Sequence, residues 1–409
     1  MYTNEQLIAF CQEAVRIPSY SGQEKRVAEL MKHKMEEYGF DEVIIDKYGS
    51  VLGTINGKRP GKTILMDGHI DTVDVIDAPQ WKHDPFGGEI VDGRIYGRGT
   101  SDMKGSDCAM ITAAARYAEK TGKDFAGKIC VSCTVHEECF EGVSSREITR
   151  LAKPDFVIIG EATTTTVKRG QRGRAEVVVE TEGVSCHSSN PEKGVNALYA
   201  ATLGLQGINA IRETLRDGDH VRIHPIMTAG GACVNIIPCE AVLESYIRGA
   251  SLDAILDANR KTDRALAAGA LALGAKVSVS DRPGYAPLIN SPEIAEAAGE
   301  AMRTLLGEGR VKLTGEWASD CTDMGDLSCV MPTLQPHIEG AAGPAHGDDY
   351  HIADRELACV SSAKGQLMLM ALLLENGAAR AKQAVERYHA PYASKEEYFA
   401  ALDSILCDR

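Results

Sequence analysis

The apolar run 63–66 ends in Gly68-His69-Ile70-Asp71, and further on the turn Gly97-Arg98-Gly99 delivers Asp102. Side chains two apart on a strand point to the same side, so His69 and Asp71 emerge together. A histidine and two carboxylates, presented by a strand end and a tight glycine turn, read as the beginning of a metal site. Lys104-Gly105 then leads into the small-residue run 110–115, which suits a buried helix. Any fold adopted by this chain has to bring that strand end and that turn to one place.

The flanking segments supply layers to hold them. Thr3-Asn4-Glu5-Gln6 and Ser21-Gly22-Gln23-Glu24 both fit the helix-opening pattern in which a hydroxyl and a Glu or Gln cap each other. The first helix is expected to run to about Arg16. The second carries Val27, Leu30, Met31 and Met35 on one face and Gly39 at its C-terminal cap. Strands over 42–45, 51–55, 63–66, 128–135 and 156–159 alternate with helices, which predicts an α/β layer architecture.

Near residue 168 the texture changes. Residues 169–183 alternate as a strand with one wet face does. A helix over 195–215, a strand over 241–248, a helix over 252–273 and a strand over 276–280 complete a self-contained α+β insertion. The α/β pattern resumes after Arg282-Pro283-Gly284, with a helix opening at Ser291-Pro292. A polar stretch over 314–332, a strand over 334–338 and a long apolar helix over 355–374 follow, and the last residues read as a surface helix or tail. The expected division is 1–169 and 284–409 for the two parts of one domain and 170–283 for the insertion.

At 409 residues the chain exceeds one ordinary core. A formal net charge of -14 argues against nucleic acid or an anionic membrane as the partner. The first ten residues lack a secretory pattern, and no stretch approaches the roughly twenty apolar residues of a membrane span. The 12 cysteines are therefore expected as free thiols in the cytoplasm. Cys130 and Cys133 lie within a strand, where an offset of three turns their sulfurs to opposite faces, a poor arrangement for a shared metal.

Three more segments offer ligands. His136-Glu137-Glu138 closes a strand, and adjacent carboxylates there can divide their work, one binding metal and the other moving protons. Gly160-Glu161 stands at the carboxyl end of another strand, where α/β sheets place their sites. The loop 343–351 carries His346 and His351. Together these groups suit two zinc ions, and manganese or cobalt equally well.

GHIDTVDV, GRGTSDMKG, the Glu137-Glu138 pair and GEA, in this order, resemble the co-catalytic zinc peptidase family that includes acetylornithine deacetylase, succinyl-diaminopimelate desuccinylase, aminoacylase-1 and carboxypeptidase G. GVSCHSSNPEKGVNAL and GGACVNIIP resemble that family's lid and dimerisation domain, and the likeness runs from about residue 5 to 375. It implies a mixed sheet flanked by helices, with an inserted α+β lid and dimerisation domain. It further implies one metal on His69, Asp102 and Glu161 and a second on Asp102, Glu138 and His346, with Asp102 as bridge.

By the same resemblance Glu137 is the general base and Asp71 orients His69, which suits a ligand histidine's need for an acceptor on its other nitrogen. His187 is similar to the lid histidine that meets the substrate carbonyl, often from the partner subunit of a homodimer. Asn235 and Arg248 are similar to lid residues that bind the substrate's oxygen or carboxylate. The implied reaction is amide hydrolysis of an N-acyl amino acid or small peptide by water held between two metal ions. A dipeptidase or carboxypeptidase is the alternative, as is a non-catalytic metal- or amino-acid-binding protein on the same fold.

This chain departs from the family at HGDDYHI, where H-x-P-x-E is usual, which leaves His351 and His337 as alternatives to His346. Its halves also point apart. RGQRGR resembles YgeY-like hydrolases, while CTDMGDLSCVMP, with Asp320 and Asp323, resembles the aminobenzoyl-glutamate branch.

Overall fold

The computed structural model describes residues 3–76, 78–139, 143–160, 166–336, 340–405 and 407–408. They gather into two compact units. The first comprises 1–170, 289–316 and 331–390, and the second 171–288, 317–330 and 391–409.

In the first unit a six-stranded sheet runs in the order Glu42–Ile45, Val51–Asn56, Ala126–Thr134, Arg59–His69, Phe156–Ile159 and Thr333–Leu334. The first two pairings are antiparallel and the other three parallel. His69 is in register with Thr134, and Asp67 with Ile159. Three parallel strands therefore end side by side, which is the edge of an α/β sheet where polar loops can converge without breaking the core. Helices Asn4–Val15, Gly105–Thr121, Pro292–Leu306 and Ser362–Arg387 bury Leu7, Phe10, Met110, Ile111, Ile294, Met302, Leu369 and Leu373 in the same core as Ile64, Met66, Ile129 and Ile158 from the sheet.

A second, small sheet joins distant parts of this unit. Ala341–Ala342 pairs with His351–Ile352, Ile352 pairs with Ile95, and Arg94–Tyr96 pairs with Glu89–Val91. The loop carrying His346 is thus fastened beside the glycine turn that delivers Asp102.

The second unit is an antiparallel sheet of Arg222–Ala229, Glu240–Gly249, Gly173–Glu182, Lys276–Pro283 and Cys407–Asp408. Helices Ala197–Ile211 and Leu252–Leu273 cover one face, closing a core of Val177, Val179, Ala201, Ile208, Leu243, Ile247, Ala258 and Leu266. The helices approach closely because Gly204 and Gly269 meet, and a Cβ on Gly269 would run into the Gly204 backbone.

Several expectations change. Ser21 does not cap a helix: Lys25–Glu37 opens at Glu24 without a side-chain cap bond, because Ser21 Oγ is engaged by Asp71. The strand Arg222–Ala229 is not anticipated from the sequence, since Pro225 and the exposed Ile226 interrupt its apolar and polar alternation. The segment Glu356–Arg387 is long and apolar enough by composition to cross a membrane, contrary to the expectation of none; 61% of its apolar window is buried, as in the core helix of a globular unit.

The C-terminal segment is not a surface appendage of the first domain. Tyr398, Leu402 and Ile405 are buried with Ala175, Leu252 and Ile255, and Cys407–Asp408 pairs with Ser280 and Asp281, so it groups with the second unit. The expected strand over 334–338 is only Thr333–Leu334, and residues 337–339 lie outside the described residues.

Candidate metal centre

His69 ends the central strand of the first unit and is 4% exposed. Its Nδ1 lies 3.1 Å from the Asp71 carbonyl oxygen and 3.4 Å from Asp71 Oδ1. Both are acceptors, so in the neutral ring Nδ1 carries the proton and Nε2 is left as the atom that can ligate a metal. Asp71 is wholly buried. It also accepts from Ser21 Oγ at 2.7 Å, from the Glu137 N–H at 3.1 Å and from the Glu138 N–H at 3.0 Å. His136, with φ of 65°, turns the chain so that those two N–H groups face inward. Burial alone would raise the Asp71 pKa, but the hydrogen bond and charge of His69, together with the bonds from Ser21 and the Glu138 N–H, outweigh it and hold the carboxyl below its ordinary value. Its oxygens thus contact both the histidine ring and the Glu137-Glu138 turn.

Asp102 follows the turn centred on Gly99, whose φ is 81°, and its peptide bond to Met103 is cis. Its carboxylate is divided between two histidines, with Oδ1 at 3.1 Å from His69 Nε2 and Oδ2 at 3.2 Å from His346 Nε2. His346 Nε2 is also 3.6 Å from Glu138 Oε2, and Glu137 Oε2 is 3.9 Å from His69 Nε2. Ligand atoms of His69, Asp102 and Glu138 all lie within 4.8 Å of one another.

The electrostatics match this crowding. Burial works against a charged Asp102, yet the bonds to His346 and His69 hold its pKa far below the ordinary range. Glu138 is pushed up to about 7 by burial and by the adjacent Asp102. Burial disfavours a charged His69, but Asp102 and Asp71 overcome it and raise its pKa well above 6.5. Carboxylates packed at this density around two imidazoles call for positive charge between them. Two histidine nitrogens and several carboxylate oxygens form a donor set that fits divalent zinc, manganese or cobalt.

His346 stands on a loop with φ of 64°, and its backbone carbonyl accepts from Arg98 Nη2 at 2.7 Å. His351 is elsewhere: it is buried under Tyr96, with ring centroids 4.6 Å apart, and its Nδ1 meets the Asp349 carbonyl at 2.7 Å. His337 and Glu161 lie outside the described residues. The structure therefore brings together His69, Asp71, Asp102, Glu137, Glu138 and His346 within the first unit.

His187, Asn235 and Arg248 belong to the second unit. The Ser188 N–H donates to the Asn235 carbonyl at 3.0 Å, which keeps His187 and Asn235 on adjoining segments. His187 is exposed, and its Nδ1 accepts from the Ser189 N–H at 3.1 Å, so in the neutral ring Nε2 is the donor. Arg248 is engaged with Cys321 Sγ at 3.2 Å.

Three contributors to the site are not evident from the sequence. Ser21 resembles a helix cap there, although its place in the polar run Ser19-Tyr20-Ser21-Gly22 is a signal. Arg98 reads as part of a glycine turn. Lys104 is fully buried, its Nζ donating to the Ile17 carbonyl at 2.9 Å and to Ser19 Oγ at 3.2 Å, with burial lowering its pKa to about 8. Nothing in the local pattern distinguishes such a lysine from a solvated one.

The sequence profile of peptidase family M20/M25/M40 matches residues 65–372. The chain belongs to this family, whose members are peptidases and related hydrolases of amide bonds. It is 42% identical over 192 residues to Escherichia coli K12 YgeY, an alignment covering 46% of this chain and 47% of that protein. The aligned part thus spans about half the length of that relative. It is 26% identical over 320 residues to the succinyl-diaminopimelate desuccinylase of Cereibacter sphaeroides strain KD131, covering 73% of this chain and 83% of that one.

The fold is shared with solved structures. A Staphylococcus aureus tripeptidase superposes with a TM-score of 0.73 at 21% identity, over 91% of this chain and 99% of its own. An M20 metallo-carboxypeptidase of Sulfolobus solfataricus gives 0.72 at 17% identity, over 90% and 99%.

Proposed function

We propose that this chain is a metal-dependent hydrolase that cleaves the amide bond of an N-acyl amino acid or small peptide. The observation that carries the reading is the division of Asp102, one carboxylate oxygen toward His69 and the other toward His346, with Glu137 close by. A carboxylate so shared suits a bridge between two ions. His69, Asp102 and Glu161 would hold one of them, and Asp102, Glu138 and His346 the other, zinc being our choice. Bound there, they supply Lewis acidity and bring the pKa of a water toward neutrality.

Glu137 accepts that water's proton as the carbonyl is attacked and returns it to the departing amine. Asp71 keeps His69 in the tautomer whose Nε2 lone pair faces the ligand cluster. His187, its Nδ1 already occupied, offers Nε2–H to the developing oxyanion. Asn235 and Arg248 are assigned to the substrate's oxygen and carboxylate.

We further propose a cytoplasmic homodimer formed through the second unit. The thiols whose side chains are described are unbridged, which suits a reducing compartment. The second unit exposes Tyr199, Leu203, Val234, Ile236 and Leu271, with Val234 wholly exposed, and such apolar surface favours a partner.

The test is a panel of dipeptides and N-acyl amino acids, each assayed with zinc, cobalt or manganese added. Turnover of N-acyl amino acids above dipeptides is the expected result, and the reverse order would make the chain a dipeptidase. Binding without turnover across the panel, with metal loaded, would make it a non-catalytic binding protein.

A further inference from the structure

We propose that Arg98 is a positioning residue that holds His346 in place as a metal ligand, acting through the histidine's backbone carbonyl; this rests on the two-ion reading above. His346 differs from the other ligands in how little packing restrains it. Its side chain is 54% exposed, whereas those of His69, Asp102 and Glu138 are 5%, 17% and 10% exposed. Its backbone sits in the left-handed region, in a loop between the short strands Ala341–Ala342 and His351–Ile352, with the turn bond from the Gly347 N–H to the Pro344 carbonyl beside it. A ligand on such a loop keeps its aim only if something rigid grips the backbone next to it.

Arg98 has the properties of that grip. It is 5% exposed, its guanidinium lies 5.1 Å from the Trp81 ring centroid, and Nη2 donates to the His346 carbonyl at 2.7 Å. It stands only four residues before Asp102, in the turn Gly97-Arg98-Gly99. One short stretch of backbone therefore carries the bridging carboxylate and also clamps the loop of the most distant ligand. The planar fork is well shaped for such a clamp, since contact with Trp81 fixes the plane and one N–H is thereby aimed at the carbonyl. The negative charge of Asp102 and Glu138 nearby supports a cation here. Among the described residues Arg98 Nε has no hydrogen-bond partner, so the Nη2 contact with the His346 carbonyl is the polar contact that fixes this guanidinium.

The experiment is metal titration of the metal-free full-length chain, comparing wild type, Arg98→Met, Arg98→Lys and Trp81→Leu. Zinc binding is followed by competition with a chromogenic chelator, and folding is checked by circular dichroism and thermal melting. Wild type is expected to bind two equivalents. Arg98→Met is expected to lose about 10- to 100-fold in affinity for one equivalent, the range usual for supports behind a ligand, while the other equivalent is held as in wild type. Arg98→Lys, which keeps a cation that can reach the carbonyl, is expected to recover most of the loss, and Trp81→Leu to show a smaller loss at the same equivalent.

If Arg98→Met binds both equivalents as wild type does, the proposal is wrong. It is equally wrong if both affinities fall together with the melting temperature, or if Arg98→Lys is no better than Arg98→Met. Should Arg98→Met not fold, Trp81→Leu decides: a loss confined to one equivalent supports the proposal, and binding of both equivalents as in wild type overturns it. A wild-type protein that binds one equivalent overturns the two-ion reading itself, whereas two equivalents unaffected by the variants overturn only the role of Arg98.

Discussion

Asp71 shows how much one buried carboxylate can organise. It receives His69, Ser21 and the backbone N–H groups of Glu137 and Glu138, so it joins the ring of a proposed ligand to the turn that carries two acids. Asp71→Asn puts an amide where one of those donors now points, leaving two donors face to face. Metal affinity is expected to fall by about 10- to 100-fold, measured by chelator competition, and a variant that binds as wild type does would remove the orienting role. For Glu137 the proposed role is to move a proton. Glu137→Gln keeps the shape and loses the base, so metal content should be unchanged while kcat falls by about 100-fold or more. A variant with nearly normal kcat would move the base elsewhere. His-x-Asp is legible at this scale, since the period of a strand pairs residues two apart. The contacts of Ser21 and Arg98 are not, because their partners lie 50 and 248 positions away and leave no local pattern.

Among the elements, those with a clear period are legible nearly to the residue. Strands Glu42–Ile45 and Phe156–Ile159 and the helix Leu252–Leu273 match the expected limits, because each combines a regular apolar period with a turn or glycine at its end. The C-terminal helix Lys395–Asp403 is the counterexample. Its composition is mixed, so it reads as surface, yet Leu402 is 5% exposed. Leu402→Ala should therefore destabilise the second unit by about 2–4 kcal/mol, read from urea unfolding followed by circular dichroism. A change within about 0.5 kcal/mol, as expected of a surface position, would show that the helix is an appendage after all.

For the whole molecule, metal and proton compete for the same groups. Against the effect of burial, Asp102 and Asp71 raise the His69 pKa well above its ordinary value, and burial with the adjacent Asp102 pushes Glu138 up to about 7, so both lean toward their protonated forms. Metal binds only the deprotonated forms. Loading should therefore release protons, and apparent affinity should climb as pH rises through 7 and level off above the pKa of His69. Calorimetry in buffers of different ionisation enthalpy measures the release, and a pH-independent affinity would contradict the assignment of these ligands. Chelation should lower the melting temperature, since metal at 100 times its Kd stabilises the folded state by about 2.7 kcal/mol.

At this scale the division between sequence and structure becomes plain. Layer architecture, the α+β insertion and the acids and histidines at strand ends follow from short-range patterns, because the period of a helix or strand and the chemistry of a turn are local. The pairing of the His346 loop with the turn before Asp102, the Ser21 contact and the grouping of the tail with the second unit are decided only when the chain closes on itself. Each depends on hydrogen bonds and apolar contacts between residues far apart, and sequence spacing carries no trace of them.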